Sequence, residues 1–597
     1  MLNRSLARII SKFLFKGIIP GRPQNYARPH YFLPCNQTFD NDSCKKFNRL
    51  KFWSYVSIAA AQVVLGTSLW GWGTKKTLAA ENIVLSYGAL EFAVSVDALE
   101  TYAETGNLEG ALKSYADLLT PEQLKQLRVG LITDADFDHL AIAQFLYSYQ
   151  GEKILERVSR VIKTQAHRPG DLAIRSALIL AAADSEGGGL SPLNVLKKFP
   201  TKTLRIDSRQ GFELFKRLSR VVQNNNQAIA AVENTAIEER RQQEITAPGV
   251  RDLDLLVPGG IRYEKKSLTM KDVEQRYPSG KLRDRVFALD LYLPKIQTKE
   301  LLPLVVISHG LGSDLTTFAY LAKHLASHGF AVAVPEHPGS NASQIESLLT
   351  GLDSDVTPPQ ELIDRPLDIK FLLDRLAKDY GKRIDTNNVG AIGQSFGAYT
   401  TLAIAGAELN WSTLSTDCDD IQNSWNLSLL IQCLAWQIPQ EDTSISLKDE
   451  RITSAIAINP LTSAVFGKEN LSQVDIPLMI VSGSADPITP ALSEQIIPFS
   501  WLTTPNKYLV LLKGGTHFST LNESAGSIPV PETAIGPSPK IAQAYMKQLA
   551  LAFFGLYVLD RPKYVSYLNA EYGRVISKRK MPLSLIQFLD TQSLKLK

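Results

Sequence analysis

A serine between two glycines, directly after a short apolar run, is the stretch of this chain best suited to nucleophilic chemistry. Val389 to Ile392 predicts a buried strand, Gly393-Gln-Ser-Phe-Gly397 follows at once, and Ala398 to Ala407 has helical character. A strand, a Gly-x-Ser-x-Gly turn and a helix in this order form a nucleophile elbow, whose strained turn lifts the serine hydroxyl above the sheet. We therefore predict that Ser395 is a nucleophile for acyl transfer.

The residues that would activate this serine come later in the chain. Lys507 to Leu512 predicts a strand followed by His517 on a glycine loop, and Pro477 to Ser482 predicts a strand followed by Asp486. The order serine, acid, histidine is the one found with nucleophile elbows. We predict a catalytic triad in which His517 is the base and Asp486 orients it, with a turn role before Pro487 as the alternative for the aspartate.

Acyl transfer also needs two N–H groups that face the developing oxyanion. Phe396, the residue after the nucleophile, is predicted to donate one of them from its backbone. His309-Gly-Leu-Gly-Ser313 forms a glycine-rich turn after an earlier apolar run, and the backbone of Leu311 is predicted to donate the second. The side chain of His309 is interpreted as structural, because backbone groups supply the donors.

Strands and helices alternate from about residue 250 onward, which is the scaffold these residues need. The alternation predicts an α/β fold class, a mainly parallel sheet flanked by helices, with the site at the carboxyl ends of its strands. The predicted strands are Phe287 to Leu293, Leu304 to Ile307 and Ala331 to Val334, and the predicted helices are Phe318 to His328 and Pro366 to Lys378.

The first 51 residues carry ten Lys and Arg against two Asp, although the whole chain has a net charge of only +4. The rest is therefore neutral to slightly acidic, and no nucleic-acid partner is expected. Phe52 to Gly73 has no charged residue and suits a transmembrane anchor, while Thr77-Leu-Ala-Ala80 suits a signal-peptide cleavage site. Both readings predict an exported hydrolase body, periplasmic or membrane-anchored, which contacts the membrane through this segment if it stays uncleaved.

The segment from Leu409 to Asp449, rich in Trp, Leu and Ser, separates the elbow helix from the next strand and is predicted to be a lid that shapes an acyl pocket. A disulfide between Cys418 and Cys433 is predicted, because the intervening loop is short and the body exported. Cys35 and Cys44 lie on the predicted inner side and should stay reduced.

The middle of the chain has helical periodicity after a small predicted hairpin at Ile83 to Val96, and Gly211 to Gln243 predicts one or two helices. A turn with four potential metal ligands has no second ligand cluster, so capping is predicted and no metal site. Its residues are Asp134, Asp136, Asp138 and His139.

The motifs His309-Gly-Leu-Gly, Leu325 to His337 and Gly393-Gln-Ser-Phe-Gly-Ala resemble the α/β-hydrolase superfamily, in its platelet-activating-factor acetylhydrolase and dienelactone-hydrolase-like branch. The resemblance covers roughly residues 285–555 and implies ester hydrolysis without a cofactor. In the acetylhydrolases the acid follows the strand after the elbow helix, where this chain has Asn459. An amide cannot serve as the acid, so Asp486 takes that role.

Residues 80–210 resemble the uncharacterised helical domain that precedes such hydrolases in some exported bacterial proteins, which implies no function. The predicted organisation is a basic leader (1–51), an anchor or signal segment (52–80), a mostly helical domain (81–247), a hydrolase domain (250–560) with its lid (409–449), and a C-terminal extension (561–597).

The predicted function is a serine hydrolase, esterase- or lipase-like, that cleaves small-molecule or lipid carboxylic esters through an acyl-enzyme intermediate. An amidase or peptidase on the same scaffold is one alternative, and a non-catalytic binding protein that retains the fold is another. Sequence leaves the acyl length, the alcohol and the oligomeric state open.

Overall fold

The computed structural model describes residues 79–594, except 88–89, 118, 136, 247–252, 274, 523–534 and 538. The leader (1–51), Cys35, Cys44 and nearly all of the predicted anchor or signal segment lie outside the described residues. Within the described ranges, no helix combines the length and apolar character that a membrane crossing requires.

A nine-stranded sheet forms the centre of the molecule, in the order β13-β12-β11-β10-β9-β7-β8-β6-β5. The pairs from β12 through β8 are parallel, whereas β5, β6 and β13 are joined to their neighbours in antiparallel fashion. This arrangement confirms the predicted, mainly parallel α/β class. The strands are β5 (Tyr263–Asp272), β6 (Arg285–Pro294), β7 (Leu302–Ser308), β8 (Ala331–Pro335), β9 (Ile384–Gln394), β10 (Ile452–Ile458), β11 (Leu478–Gly483), β12 (Lys507–Leu512) and β13 (Leu583–Ile586).

Helices cover both faces of this sheet, so its central strands are buried throughout. On β7, Val305 and Ile307 contribute to the core under the helices Ala319–Ser327 and Pro539–Tyr557. Leu304 and Val306 contribute to the core under the helix Glu361–Tyr380 on the other face. The alternation follows from the two-residue period of a strand. The helices of this region are α9 (Ala319–Ser327), α10 (Ala342–Leu349), α11 (Glu361–Tyr380), α12 (Phe396–Ile404), α13 (Trp411–Asp419), α14 (Leu429–Gln432), α15 (Gly467–Leu471), α16 (Ile497–Trp501), α17 (Pro539–Tyr557) and α18 (Ala570–Ile576).

The N-terminal region contains a small sheet as well as its predicted helices. Strands β1 (Asn82–Tyr87) and β2 (Leu90–Ser95) form the expected hairpin, and the sheet order is β2-β1-β4-β3. Strands β3 (Ile162–Lys163) and β4 (Thr203–Asp207) are too short to show a periodic pattern, so the mostly helical prediction missed them. The helices are α1 (Val96–Thr105), α2 (Gly110–Ala116), α3 (Pro121–Ile132), α4 (His139–Tyr147), α5 (Tyr149–Ser159), α6 (Asp171–Ala182) and α7 (Pro192–Lys197).

A single helix of 39 residues, α8 (Ser208–Thr246), connects the N-terminal region with the hydrolase region. Ala228 and Val232 on this helix are fully buried in the hydrolase core. The N-terminal region also contacts the lid directly, because Arg157 on α5 donates to the carbonyl of Ile421 at 2.7 Å. The N-terminal region is therefore packed on the lid side of the hydrolase region.

Strand β13 corrects the boundary drawn at residue 560. Its residues pair with β12, with Ile586 opposite Leu509. Gln587 and Phe588 then donate their amides to the carboxylate of Glu239 on α8, each at 2.9 Å. The described residues 561–594 thus contribute a strand to the hydrolase sheet and are not separate from it. Four residues are too few for their alternation to have revealed this strand.

A disulfide closes a loop within the lid, and a buried carboxylate ties the lid to the body of the protein. Cys418 and Cys433 are bonded, with 5.6 Å between their Cα atoms. Glu494, which is fully buried, accepts from the amide of Thr462 at 2.6 Å and from Gln432 of the lid at 3.2 Å. The disulfide restricts the lid internally, and the contacts of Glu494 hold the lid against the rest of the hydrolase region.

Reduction of this disulfide is expected to lower the free energy of unfolding by about 3 kcal/mol, because its loop of about fifteen residues restricts the unfolded chain. Denaturant unfolding with and without a reductant measures the change. The double variant Cys418→Ser/Cys433→Ser is the control and should unfold at the same denaturant concentration in both conditions. An unchanged midpoint for the reduced wild type would contradict this expectation.

Candidate active site

Ser395 occupies a tight turn between β9 and α12 that only glycines on both sides permit. Its φ of 56° and ψ of −119° lie outside the regions that ordinary residues prefer. A Cβ at Gly393 would lie 2.1 Å from the carbonyl oxygen of Gly397, and a Cβ at Gly397 would lie 2.1 Å from that of Ser308. The two glycines are therefore a steric requirement of the turn.

The structure brings the three predicted triad residues together. The Oγ of Ser395 lies 2.8 Å from Nε2 of His517, and Nδ1 of His517 lies 2.7 Å from Oδ2 of Asp486. All three residues are buried. This arrangement can move a proton from the serine hydroxyl to the imidazole and hold the resulting imidazolium against a carboxylate.

The loop after β11 fixes the carboxylate of Asp486. Its Oδ1 accepts from the amides of Ile488 at 2.8 Å and Thr489 at 2.9 Å, and its Oδ2 accepts from the Thr489 hydroxyl at 2.8 Å. Asn225 on α8 supports the same loop, since its Oδ1 accepts from the amide of Leu492 at 3.1 Å. The sequence analysis missed both supporting residues. The contact of Thr489 could have been predicted, because a threonine three residues after an aspartate often hydrogen-bonds to it. The contact of Asn225 could not, because Asn225 lies far from this loop in sequence.

Asn459 directly follows β10 and hydrogen-bonds to two neighbouring loops. Its Oδ1 accepts from the amide of Gly483 at 3.0 Å, and its Nδ2 donates weakly to the carbonyl of Thr516 at 3.4 Å. Its φ of 45° lies in the left-handed region, which asparagine tolerates better than most residues. Asn459 thus links the loops that carry Asp486 and His517 without contacting the imidazole.

Asn459→Ala should lower turnover by about tenfold or less and lower the melting temperature, because a buried amide loses its acceptor and alanine is strained at this φ. Steady-state kinetics and thermal unfolding measure the two effects. A loss as large as that of a triad variant, in a protein of normal melting temperature, would show that Asn459 does more than brace the loops.

The two predicted oxyanion donors lie on facing segments. Leu311 follows β7 and Phe396 begins α12, and in the described part of the chain neither amide donates to a protein acceptor. A Cβ at Gly310, beside Leu311, would lie 2.4 Å from Oε1 of Gln394 and 3.4 Å from Cβ of Ser395, so the glycine turn closely approaches the elbow. Both amides therefore remain candidates for the two oxyanion donors.

The histidines near this turn have structural roles. Nε2 of His309 accepts from the amide of His337 at 3.0 Å, and Nδ1 of His309 donates to the carbonyl of Gly310 at 2.8 Å. Burial holds the pKa of His309 well below its usual range and lowers that of His337 to about 3. Both rings are thus held neutral, and their hydrogen bonds go to Gly310, Ser308, Asp368 and each other and not to Ser395.

The acidic turn before α4 caps that helix. Oδ1 of Asp138 accepts from the amides of Leu140 at 2.8 Å and Ala141 at 3.4 Å. Asp136 lies outside the described residues. Across the described ranges, no group of three or more His, Cys, Asp or Glu side chains is arranged as metal ligands would be.

Two family models match separate parts of the chain. Residues 79–207 match the family described as Alpha/beta hydrolase of unknown function (DUF1400). Residues 291–357 match the family described as Platelet-activating factor acetylhydrolase, isoform II. The second match includes the glycine turn with Leu311 and ends before Ser395.

Two curated relatives are similar over a short segment. The platelet-activating factor acetylhydrolase of Bos taurus is 46% identical and that of Canis lupus familiaris is 48% identical, each over 48 residues. The matched segment covers 8% of this chain and 11% of the length of each relative.

Proposed function

Because this chain belongs to the α/β-hydrolase superfamily, in its platelet-activating factor acetylhydrolase-like branch, we propose that it is a serine hydrolase that cleaves carboxylic esters. The observation that carries the proposal is the continuous contact from Ser395 through His517 to Asp486, at 2.8 and 2.7 Å. The amides of Leu311 and Phe396, which donate to no acceptor among the described residues, complete the set of groups that acyl transfer needs.

In the proposed reaction, Oγ of Ser395 attacks the ester carbonyl carbon while Nε2 of His517 takes the hydroxyl proton. The amides of Leu311 and Phe396 hold the oxygen that becomes negative. Collapse of the tetrahedral intermediate breaks the bond to the alcohol, which leaves with the proton from His517. Water then attacks the acyl-enzyme with His517 as base and releases the carboxylic acid and free Ser395.

We propose a lipid or other small apolar ester as the substrate class, because the similar segment is shared with platelet-activating factor acetylhydrolases. The test is a panel of p-nitrophenyl esters of graded acyl length, with matched p-nitroanilides, assayed beside fluorophosphonate labelling of Ser395. Turnover of esters in preference to anilides supports the proposal. Preferred anilide turnover would point to an amidase, and no labelling with no turnover would point to a non-catalytic protein.

Export of the hydrolase region remains a proposal that rests on the charge pattern of the N-terminal segment. Ten basic residues precede an uncharged run from Phe52 to Gly73, and such asymmetry keeps the basic side in the cytoplasm. A reporter active only in the periplasm, fused after residue 100, should be active. Activity of a cytoplasm-specific reporter at the same position would contradict the proposed orientation.

A further inference from the structure

Arg365 on α11 is a fully buried arginine whose direct partners are all uncharged. Its Nε donates to the Thr400 hydroxyl at 3.1 Å, and its Nη1 donates to the Ser340 hydroxyl at 3.0 Å. Its Nη2 donates to the carbonyl of His309 and to the Ser308 hydroxyl at 3.4 Å. Its guanidinium also stacks on the ring of Phe396, 4.6 Å from the centroid. In the part of the chain that the structure describes, no carboxylate oxygen lies within 4 Å of this guanidinium.

The nearby carboxylates are occupied by another arginine. Nη1 of Arg285 binds Glu361 at 2.6 Å and Nη2 of Arg285 binds Asp368 at 2.7 Å. Burial lowers the pKa of Arg365 to about 9, so the side chain still carries its charge at neutral pH. A buried charge is costly unless it is fully hydrogen-bonded, so the position of this guanidinium is set by its neutral contacts.

These contacts fall on both segments that carry the proposed oxyanion donors. The carbonyl of His309 lies two residues before Leu311, and the backbone of Ser340 accepts from the amide of Gly312 at 2.9 Å, one residue after it. Arg365 therefore holds the glycine turn on either side of the first donor. On the other segment, the guanidinium covers the ring of Phe396, whose own amide is the second donor.

We propose that Arg365 is a positioning residue that fixes the distance and direction between the amides of Leu311 and Phe396. This inference rests on the proposed function. The planar guanidinium reaches several acceptors in one plane and stacks on a ring at the same time, which an ammonium group cannot do. Because the two amides act on charge that develops during the reaction, a change in their spacing should lower kcat with little effect on KM.

The test compares Arg365→Lys, which keeps the charge and removes the planar fork, with Arg285→Lys in the same buried cluster. Arg285 contacts carboxylates and neither donor segment. With p-nitrophenyl acetate as substrate, Arg365→Lys should lower kcat by roughly 10- to 100-fold and change KM by less than about threefold. Affinity for an alkyl trifluoromethyl ketone, which forms an oxyanion on Ser395, should fall by a similar factor. Arg285→Lys should leave both within about threefold of the wild type.

A second pair of variants covers the case in which Arg365→Lys does not fold. Thr400→Val removes one acceptor of Arg365, whereas Thr401→Val removes a buried hydroxyl for which the described residues offer no hydrogen-bond partner. Thr400→Val should lower kcat and trifluoromethyl ketone affinity by roughly 3- to 10-fold, and Thr401→Val should change neither.

Three outcomes would overturn the inference. The first is a normal kcat in a folded Arg365→Lys variant. The second is an equal loss of kcat in Arg365→Lys and Arg285→Lys, or in Thr400→Val and Thr401→Val. The third is a fall in kcat with unchanged affinity for the trifluoromethyl ketone. A wild-type chain that neither reacts with a fluorophosphonate nor hydrolyses any ester would overturn the proposed function as well, so the two failures are distinguishable.

Discussion

Ser395→Ala should lower ester turnover by about 10³-fold or more, and His517→Ala should lower it by a similar factor. The serine variant removes the proposed nucleophile, and the histidine variant removes the group 2.8 Å away that is proposed to take its proton. The double variant should be little worse than either single one, because the two side chains act as a unit. Initial rates with p-nitrophenyl acetate at equal protein concentration measure all three.

Ser454→Ala is the matched control for the serine variant. Ser454 lies on β10, is fully buried, and its hydroxyl finds no hydrogen-bond partner in the described part of the chain. It should retain near-normal turnover and react with a fluorophosphonate, whereas Ser395→Ala should not react. Labelling that persists in a folded Ser395→Ala variant would place the nucleophile elsewhere.

Asp486→Asn should lower turnover by roughly 10²- to 10⁴-fold while the protein remains folded. The carboxylate oxygen beside Nδ1 of His517, at 2.7 Å, keeps that nitrogen protonated and leaves Nε2 free to accept a proton from Ser395. An amide nitrogen in that place would donate to Nδ1 and turn the imidazole into the wrong tautomer. Thermal unfolding and kcat/KM measured on the same sample separate this effect from misfolding.

The acid of the triad could lie at position 459 or at position 486, and variants at both positions distinguish the two. Adding Asn459→Asp to Asp486→Asn should not restore turnover, because Asn459 contacts Gly483 and Thr516 and not the imidazole. Near-normal turnover of Asp486→Asn alone would remove Asp486 from the triad. The search would then begin with the lid carboxylates from Asp417 to Asp420.

The elbow and the central strands could be predicted because their signals are local. Gly393 and Gly397 flank Ser395 within five residues, and the strand before them is a continuous apolar run. The placement of Asp486 and His517 at strand ends also followed from short apolar runs with glycine loops behind them. A nucleophile elbow is formed by residues that are neighbours in sequence, and its geometry can therefore be predicted from the sequence alone.

Other features depend on partners far away in the chain and left no local pattern. Strand β4 pairs with β1, more than a hundred residues earlier, and β3 has only two residues. Arg365 stands in an ordinary amphipathic helix, and its contacts with His309 and Phe396 exist only after three segments meet. Asn225 likewise meets the Asp486 loop across more than two hundred residues. Tertiary contacts of this kind cannot be read from spacing or composition.

The position of β13 has a consequence for the order of events during protein synthesis. Strand β12, which ends five residues before His517, obtains its outer neighbour only when Leu583–Ile586 has been made. The elbow around Ser395 leaves the ribosome much earlier, so for a long interval the nascent chain carries the proposed nucleophile without a finished sheet. The proposed esterase activity should therefore arise only after β13 has been made, and ribosome-bound chains stalled before β13 should remain inactive although Ser395, Asp486 and His517 have been synthesised.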